Sequence, residues 1–132
     1  MRLIIAGSRS LTDYALFQRC IQQTQFAAEL QPNTCTILSG TARGIDSLAI
    51  RWARMRQFQV ERYPAEWKMF GKSAGYKRNE HMVRNAEALL AIWDRNSCGT
   101  KYCITFARDH SLLVEVFEVF DDNEIIVSRF NF

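Results

Sequence analysis

The chain has 132 residues, enough for one domain (1–132) built around a single core. Its hydrophobic content of 48% and charged content of 23% are those of an ordinary globular protein rather than a disordered one, and no apolar run approaches a membrane span or a signal core. A net charge of +3 is too small to announce a nucleic-acid protein by itself, and Cys20, Cys35, Cys98 and Cys103, which lack any Cys-x-x-Cys spacing, read as reduced thiols of a cytoplasmic protein rather than staples or zinc ligands.

The continuous apolar run Leu3-Ile4-Ile5-Ala6 predicts a first strand over 2–6, buried on both faces. A small polar turn, Gly7-Ser8-Arg9-Ser10, follows it. With Thr12 as cap, Leu16, Phe17, Cys20, Ile21, Thr24 and Ala27-Ala28 recur every three or four residues and predict a long amphipathic helix that runs until Pro32. Cys35 to Leu38 is a second strand. Ser39-Gly40-Thr41-Ala42-Arg43-Gly44 forms a turn, after which Ile45, Leu48, Ala49, Trp52 and Ala53 mark a helix. The glycines of that turn let a ligand approach the main chain at a helix N-terminus, where free amides and the helix dipole favour an anion. Arg43 adds a formal charge there, and Asp46 either caps the amides or accepts from a ligand hydroxyl.

Phe58 to Tyr63 is a third strand closed by Pro64, and Ala65 to Gly75 reads as an aromatic, basic loop. A helix from about Tyr76 to Ala86 carries Asn79, Met82, Val83 and Ala86 on one stripe and Arg78, His81 and Asn85 on another. Ala88 to Trp93 gives a fourth strand, Asp94 to Gly99 a loop, Thr100 to about Asp109 a helix, and Ser111 to Phe117 a fifth strand. Asp121-Asp122-Asn123 is a turn and Glu124 to Phe130 an extra, antiparallel edge strand within the extension 118–132 that follows a core of about 2–117.

Strands alternating with helices on short connections imply a mostly parallel, five-stranded α/β sheet with helices on both faces. In such a sheet every strand-to-helix loop lies at one edge, and ligands bind where strand order reverses. With the first strand central, the loops 7–10 and 94–99 flank that reversal and the loop 39–44 adjoins them. Arg9, Arg43, Lys68, Lys72, Lys77, Arg78, Arg84, Arg95 and Lys101 fall in or beside these loops and the segment 67–84, so convergence would make one positive mouth.

Gly7-Ser8-Arg9, Ser39-Gly40-x-Ala42-Arg43-Gly44-x-Asp46, Pro64-Ala65-x-Trp67, Gly71-Lys72-x-Ala74-Gly75-x-x-Arg78-Asn79-x-x-Met82 and Asp94-x-x-Ser97-x-Gly99-Thr100 together resemble the YspA/YpsA-related branch of the SLOG superfamily of Rossmann-like proteins. The resemblance implies a nucleotide or nucleotide-derived ligand, such as an ADP-ribose- or NAD-like molecule, over the three loops, and a homo-oligomer. The single-stranded DNA-binding DNA-processing protein A family is similar through Gly7-Ser8-Arg9, Gly40-x-Ala42-Arg43-Gly44-Ile45-Asp46 and Arg78-Asn79. The LOG phosphoribohydrolases are similar at Gly99-Thr100, but Cys103 stands where their catalytic glutamate belongs. A thiol is a poor substitute for a carboxylate that must stabilise an oxocarbenium-like centre or activate water.

Ser8, Arg9, Ser39, Gly40, Ala42, Arg43 and Gly44 are therefore the candidates for phosphate and ribose contacts, mostly through amides. Gly7 closes the first turn beside them. Ser97, Gly99 and Thr100 open a helix and either take a second phosphate or merely cap it; Asp94 either bonds a sugar or caps its own loop. Trp67, with Lys68 and Lys72, either stacks on a base or, the commoner fate, anchors its loop by burial. Arg78 and Asn79 face the same edge. Asp46, Glu66 and Glu80 are the candidate catalytic acids, none with a partner at diagnostic spacing, and no metal cluster is visible. Three functions follow: a nucleotide-binding sensor or effector module first, a nucleotide-cleaving enzyme second, a single-stranded DNA binder third.

Overall fold

The computed structural model describes residues 1–131. β1 (Arg2–Gly7), β2 (Thr36–Ser39), β3 (Gln59–Arg62), β4 (Ala88–Trp93), β5 (Leu113–Val119) and β6 (Ile125–Phe130) form one sheet in the order β3-β2-β1-β4-β5-β6. The first five strands are parallel and β6 pairs antiparallel with β5 from Val114↔Phe130 to Val119↔Ile125. This is a Rossmann-like arrangement with its reversal between β1 and β4, and the sixth strand is the extra antiparallel edge strand expected beside the five parallel ones.

β1 shows why an unbroken apolar run is needed. Its odd residues Leu3 and Ile5 pack in one core with α1 (Tyr14–Gln22) and α2 (Ile45–Met55), while Ile4 and Ala6 pack in a second core with α4 (Ala74–Arg84) and α5 (Cys98–Asp109). Helices therefore cover both faces, and all four of these side chains are buried.

Four local expectations are corrected. The first helix ends at Gln22 rather than near Pro32, because tertiary partners take the groups that would have extended it. Glu115 accepts from the Gln25 amide at 2.8 Å and the Thr24 hydroxyl at 2.6 Å, and Arg129 donates to the Gln23 carbonyl at 3.1 Å. Its cap is Asp13, which accepts from the Ala15 amide at 2.9 Å, rather than Thr12. The supposed loop 65–75 contains α3 (Trp67–Phe70) and a 3₁₀ turn (Gly71–Ser73), so α4 begins earlier than Tyr76. β5 starts later than Ser111, whose φ of +60° belongs to the turn that brings the Leu112 amide to the Ala107 carbonyl at 3.0 Å. Among the described residues no helix is long and apolar enough to cross a membrane.

Candidate functional site

The strand-to-helix loops meet at the C-terminal rim of the parallel strands, and hydrogen bonds between them show how. Ser8 follows β1 fully buried; its amide donates to the Ile92 carbonyl at 3.1 Å, and its carbonyl accepts from the Ile45 amide at 3.3 Å. Its hydroxyl accepts from the Asp94 amide at 2.9 Å. One small residue thus ties together the loops after β1, β2 and β4. Gly44, at φ +73°, lies so close that a Cβ there would stand 2.4 Å from the Ser8 carbonyl oxygen. Any side chain would push those loops apart.

Other candidate residues also hold the scaffold. The buried Ser39 hydroxyl accepts from the Thr41 amide at 3.2 Å and donates to the Asp46 carbonyl at 3.3 Å. Asp94 takes the capping alternative: its carboxylate accepts from Ser10, Asn96 and Ser97 at 2.6, 2.8 and 2.9 Å. Burial works against its ionisation, but these bonds and one to Ser8 outweigh it and hold its pKa down to about 2. Ser97 caps α5 by accepting from the Thr100 amide at 3.3 Å.

Between these loops lies a cavity of about 300 Å³. Gly7 and Arg9 from the first loop, Ala42 and Asp46 from the second, Trp67 and Lys72 from the α3 region, Arg78 and Asn79 from α4, and Ser97, Gly99 and Thr100 from α5 all line it. Three helices therefore present residues of their N-terminal halves to one space, the end at which a helix dipole favours an anion. Arg43 lines an adjoining cavity of about 430 Å³ that shares Arg9, Ala42, Trp67 and Arg78 with the first. Arg43 and Ser97 consequently stand on one rim.

Arg78 is the hinge of this geometry. Its guanidinium, half-buried, donates through Nη1 to the Gly40 carbonyl and through Nε to Asn79 Oδ1 at 2.8 Å, while Asn79 donates to the Gly99 carbonyl at 3.3 Å. Nη2 has no hydrogen-bond partner among the described residues. Gly40 leaves room for both side chains: a Cβ would meet Arg78 Nη1 at 2.8 Å and Asp46 Oδ2 at 2.9 Å, so Arg78 and Asp46 would have to shift. The Asp46 side chain, 5% exposed, accepts from the Ala42 amide at 3.1 Å. Burial pushes its carboxyl up, against the opposing pull of that amide and of Arg78 and Arg9.

Of the three candidate acids, only Asp46 lines the main cavity. Glu80 accepts from the Tyr102 hydroxyl and pairs with Arg84 at 3.9 Å, away from the cavity. Glu66 is exposed and lines a different cavity, beyond the end of β3. Cys103 lies on the floor of the main cavity, wholly buried, with its thiol pushed up to about 12 by desolvation. Trp67 departs from the burial expected of a loop anchor: its ring is 51% exposed, with the Arg9 guanidinium 5.9 Å from the ring centroid. Sequence reasoning left out Gly75 and Tyr76 as lining residues. Their position one helical turn before Arg78 and Asn79 on the same face was the available signal.

Among the described residues four arginines are held in salt bridges. Arg2, Arg84, Arg95 and Arg129 form salt bridges with Glu61, Glu80, Glu118 and Glu115. None of Arg9, Arg43, Arg62, Lys72, Lys77 or Arg78 does so among the described residues. No group of three His, Cys, Asp or Glu that could hold a metal is found among them either.

Residues 1–70 match the family model described as YspA, cpYpsA-related SLOG. The chain is 37% identical over 115 residues to the Gene 61 protein of Mycobacterium phage D29, spanning 81% of this chain and 88% of that protein. A shorter stretch of 39 residues is 36% identical to the SPbeta prophage-derived protein YoqJ of Bacillus subtilis (strain 168), or 30% of this chain and 23% of that one. A solved structure of DNA processing protein A from Helicobacter pylori, described for its single-stranded DNA binding mode, superposes with a TM-score of 0.62 at 18% identity. The superposition covers 88% of this chain and 64% of that one, and at this identity the likeness is one of fold.

Proposed function

Because the chain belongs to the YspA, cpYpsA-related SLOG family, we propose that it binds a nucleotide or nucleotide-derived ligand by its phosphate at the C-terminal rim of the parallel strands, as a sensor or effector module. One observation carries this reading: Arg9, Arg43, Lys72 and the α4 residue Arg78, cations from separate segments with no salt bridge among the described residues, gather at a rim also formed by three helix N-termini. Phosphate suits such a site, since each added charge-assisted hydrogen bond is about twice as strong as a neutral one. Main-chain amides and Ser97 or Thr100 complete the cradle, and the half-exposed Trp67 ring offers a face to a base.

Binding is better supported than turnover. Among the described residues Asp46 is the single carboxylate lining the main cavity, and hydrolysis of a glycosidic bond ordinarily divides the work between two. Cys103, where a related hydrolase has its glutamate, is held as a neutral thiol by burial. A second reading, single-stranded DNA, is favoured by one feature, the exposed Trp67 flanked by Arg9 and Lys72, and by the fold shared with DNA processing protein A.

Thermal-shift measurements with AMP, ADP-ribose, NAD and cyclic nucleotides in dilute buffer test the proposal. A ligand at a hundred times its Kd adds about 2.7 kcal/mol, a rise of several degrees for a domain of this size. No shift with any of them overturns it. Binding confined to oligonucleotides, weakening steeply with salt, would select the second reading instead.

A further inference from the structure

The main cavity is not where the cationic surface ends. Beyond the end of β3 a third cavity, of about 460 Å³, opens between Arg62, Tyr63 and Pro64 on one side and α4 on the other. Arg78 lines it too, and so lines all three cavities; Pro64 joins this one to the rim cavity that contains Arg43. The three form one trench around the Arg78 guanidinium. Arg62 and Lys77, both exposed, stand at its far end; among the described residues neither has a salt bridge and Glu66 is the one carboxylate lining that end. Its walls are aromatic: Lys77 Nζ lies 5.0 Å from the Phe70 ring centroid, and Tyr63 meets His81 edge to face at 5.0 Å.

A ligand pocket of about 300 Å³ is at the small end of the usual range and matches a guest of mononucleotide scale. A mononucleotide there would leave Arg62 and Lys77 without an anion. The geometry points to a phosphodiester-linked pair of nucleotides as the ligand class: one unit occupies the main cavity, the linking phosphate lies over the free Nη2 of Arg78, and the second unit rests against Phe70 and Tyr63 with its phosphate at Arg62 and Lys77. This rests on the nucleotide-binding reading above and specifies its substrate class. The same chemistry is offered by a free dinucleotide or by a stretch of a single strand.

Calorimetric titration of the full chain with AMP, ADP-ribose, the 5′-phosphorylated dinucleotide pApA and a fifteen-residue oligothymidylate separates these cases. The expected result is that pApA binds about tenfold or more tightly than AMP. Arg62→Ala/Lys77→Ala should remove that advantage while leaving AMP binding and the melting temperature unchanged. Equal affinity for pApA and the oligothymidylate identifies a free dinucleotide as the source, and much tighter oligothymidylate binding a single strand; both uphold the second subsite. If AMP or ADP-ribose binds but pApA binds no more tightly, or if the double variant weakens AMP and pApA alike, the inference fails while nucleotide binding stands. If nothing binds, both fail together.

Discussion

Asp46 sits where a negative charge costs most, 5% exposed at the floor of a cationic rim. Burial raises its pKa from the ordinary 3.8, more than the Ala42 amide, Arg78 and Arg9 lower it. A carboxyl whose folded pKa lies above its unfolded one favours the folded state when protonated. That contribution is complete below the unfolded pKa and is lost as pH rises through the folded one. Asp46→Asn keeps an oxygen for the Ala42 amide and removes the ionisation, so its melting temperature relative to the parent should climb as pH rises from about 4 toward neutrality. A difference that stays flat across that window would mean the buried carboxylate carries no such cost. The same residue illustrates what could be read early. Its alternative as a cap of the turn amides was visible from its place one step into a helix, whereas its burial depends on Arg78, thirty-two positions later in the chain.

At the scale of elements, the edge hairpin of β5 and β6 is held by an ion pair between the half-exposed Arg129 and the buried Glu115, which periodicity did not reveal. Glu115 is fully buried in β5, yet its oxygens accept from Arg129 Nε at 2.8 Å, the Gln25 amide and the Thr24 hydroxyl. A carboxylate with three donors around it is well occupied, and removing it strands all of them. Glu115→Ala should destabilise the fold by about 3 kcal/mol or more, seen as a lower urea midpoint with the slope retained. Loss within experimental error of zero would show that water replaces the carboxylate cheaply. This cluster also explains the early end of α1. Apolar and small residues recurring every three or four positions as far as Ala28 argued for more helix, but donors taken by a residue ninety positions away cannot also serve the helix ladder.

Across the whole molecule, charge is divided between partners and emptiness. Four arginines pair with glutamates, Arg95 of the loop after β4 among them, while Arg9, Arg43 and Lys72 form no salt bridge among the described residues. Such residues contribute little to folding and are available to a guest. Arg9→Ala/Arg43→Ala should therefore leave unfolding free energy within about 0.5 kcal/mol of the parent. The same change should weaken nucleotide binding at least about tenfold, with a shallower salt dependence. A variant that loses stability but binds unchanged would reverse this division of labour.

The sequence by itself determined the alternation of strands and helices, the central place of the Leu3–Ala6 strand, and the convergence of small, polar turns at one edge. Each follows from short-range periodicity together with the handedness of crossover connections. Family membership was legible in the same motifs, because Gly7 and Gly44 are demanded by close approaches to backbone that only a missing Cβ permits. Only the tertiary structure decided which of those residues face the cavity. It turned Ser8, Ser39 and Asp94 into braces between loops, left Trp67 exposed, took Glu80 off to Tyr102, and set Arg78 at the junction of three cavities. Those outcomes depend on which distant groups compete for the same hydrogen bond, a contest that no local pattern of residues records.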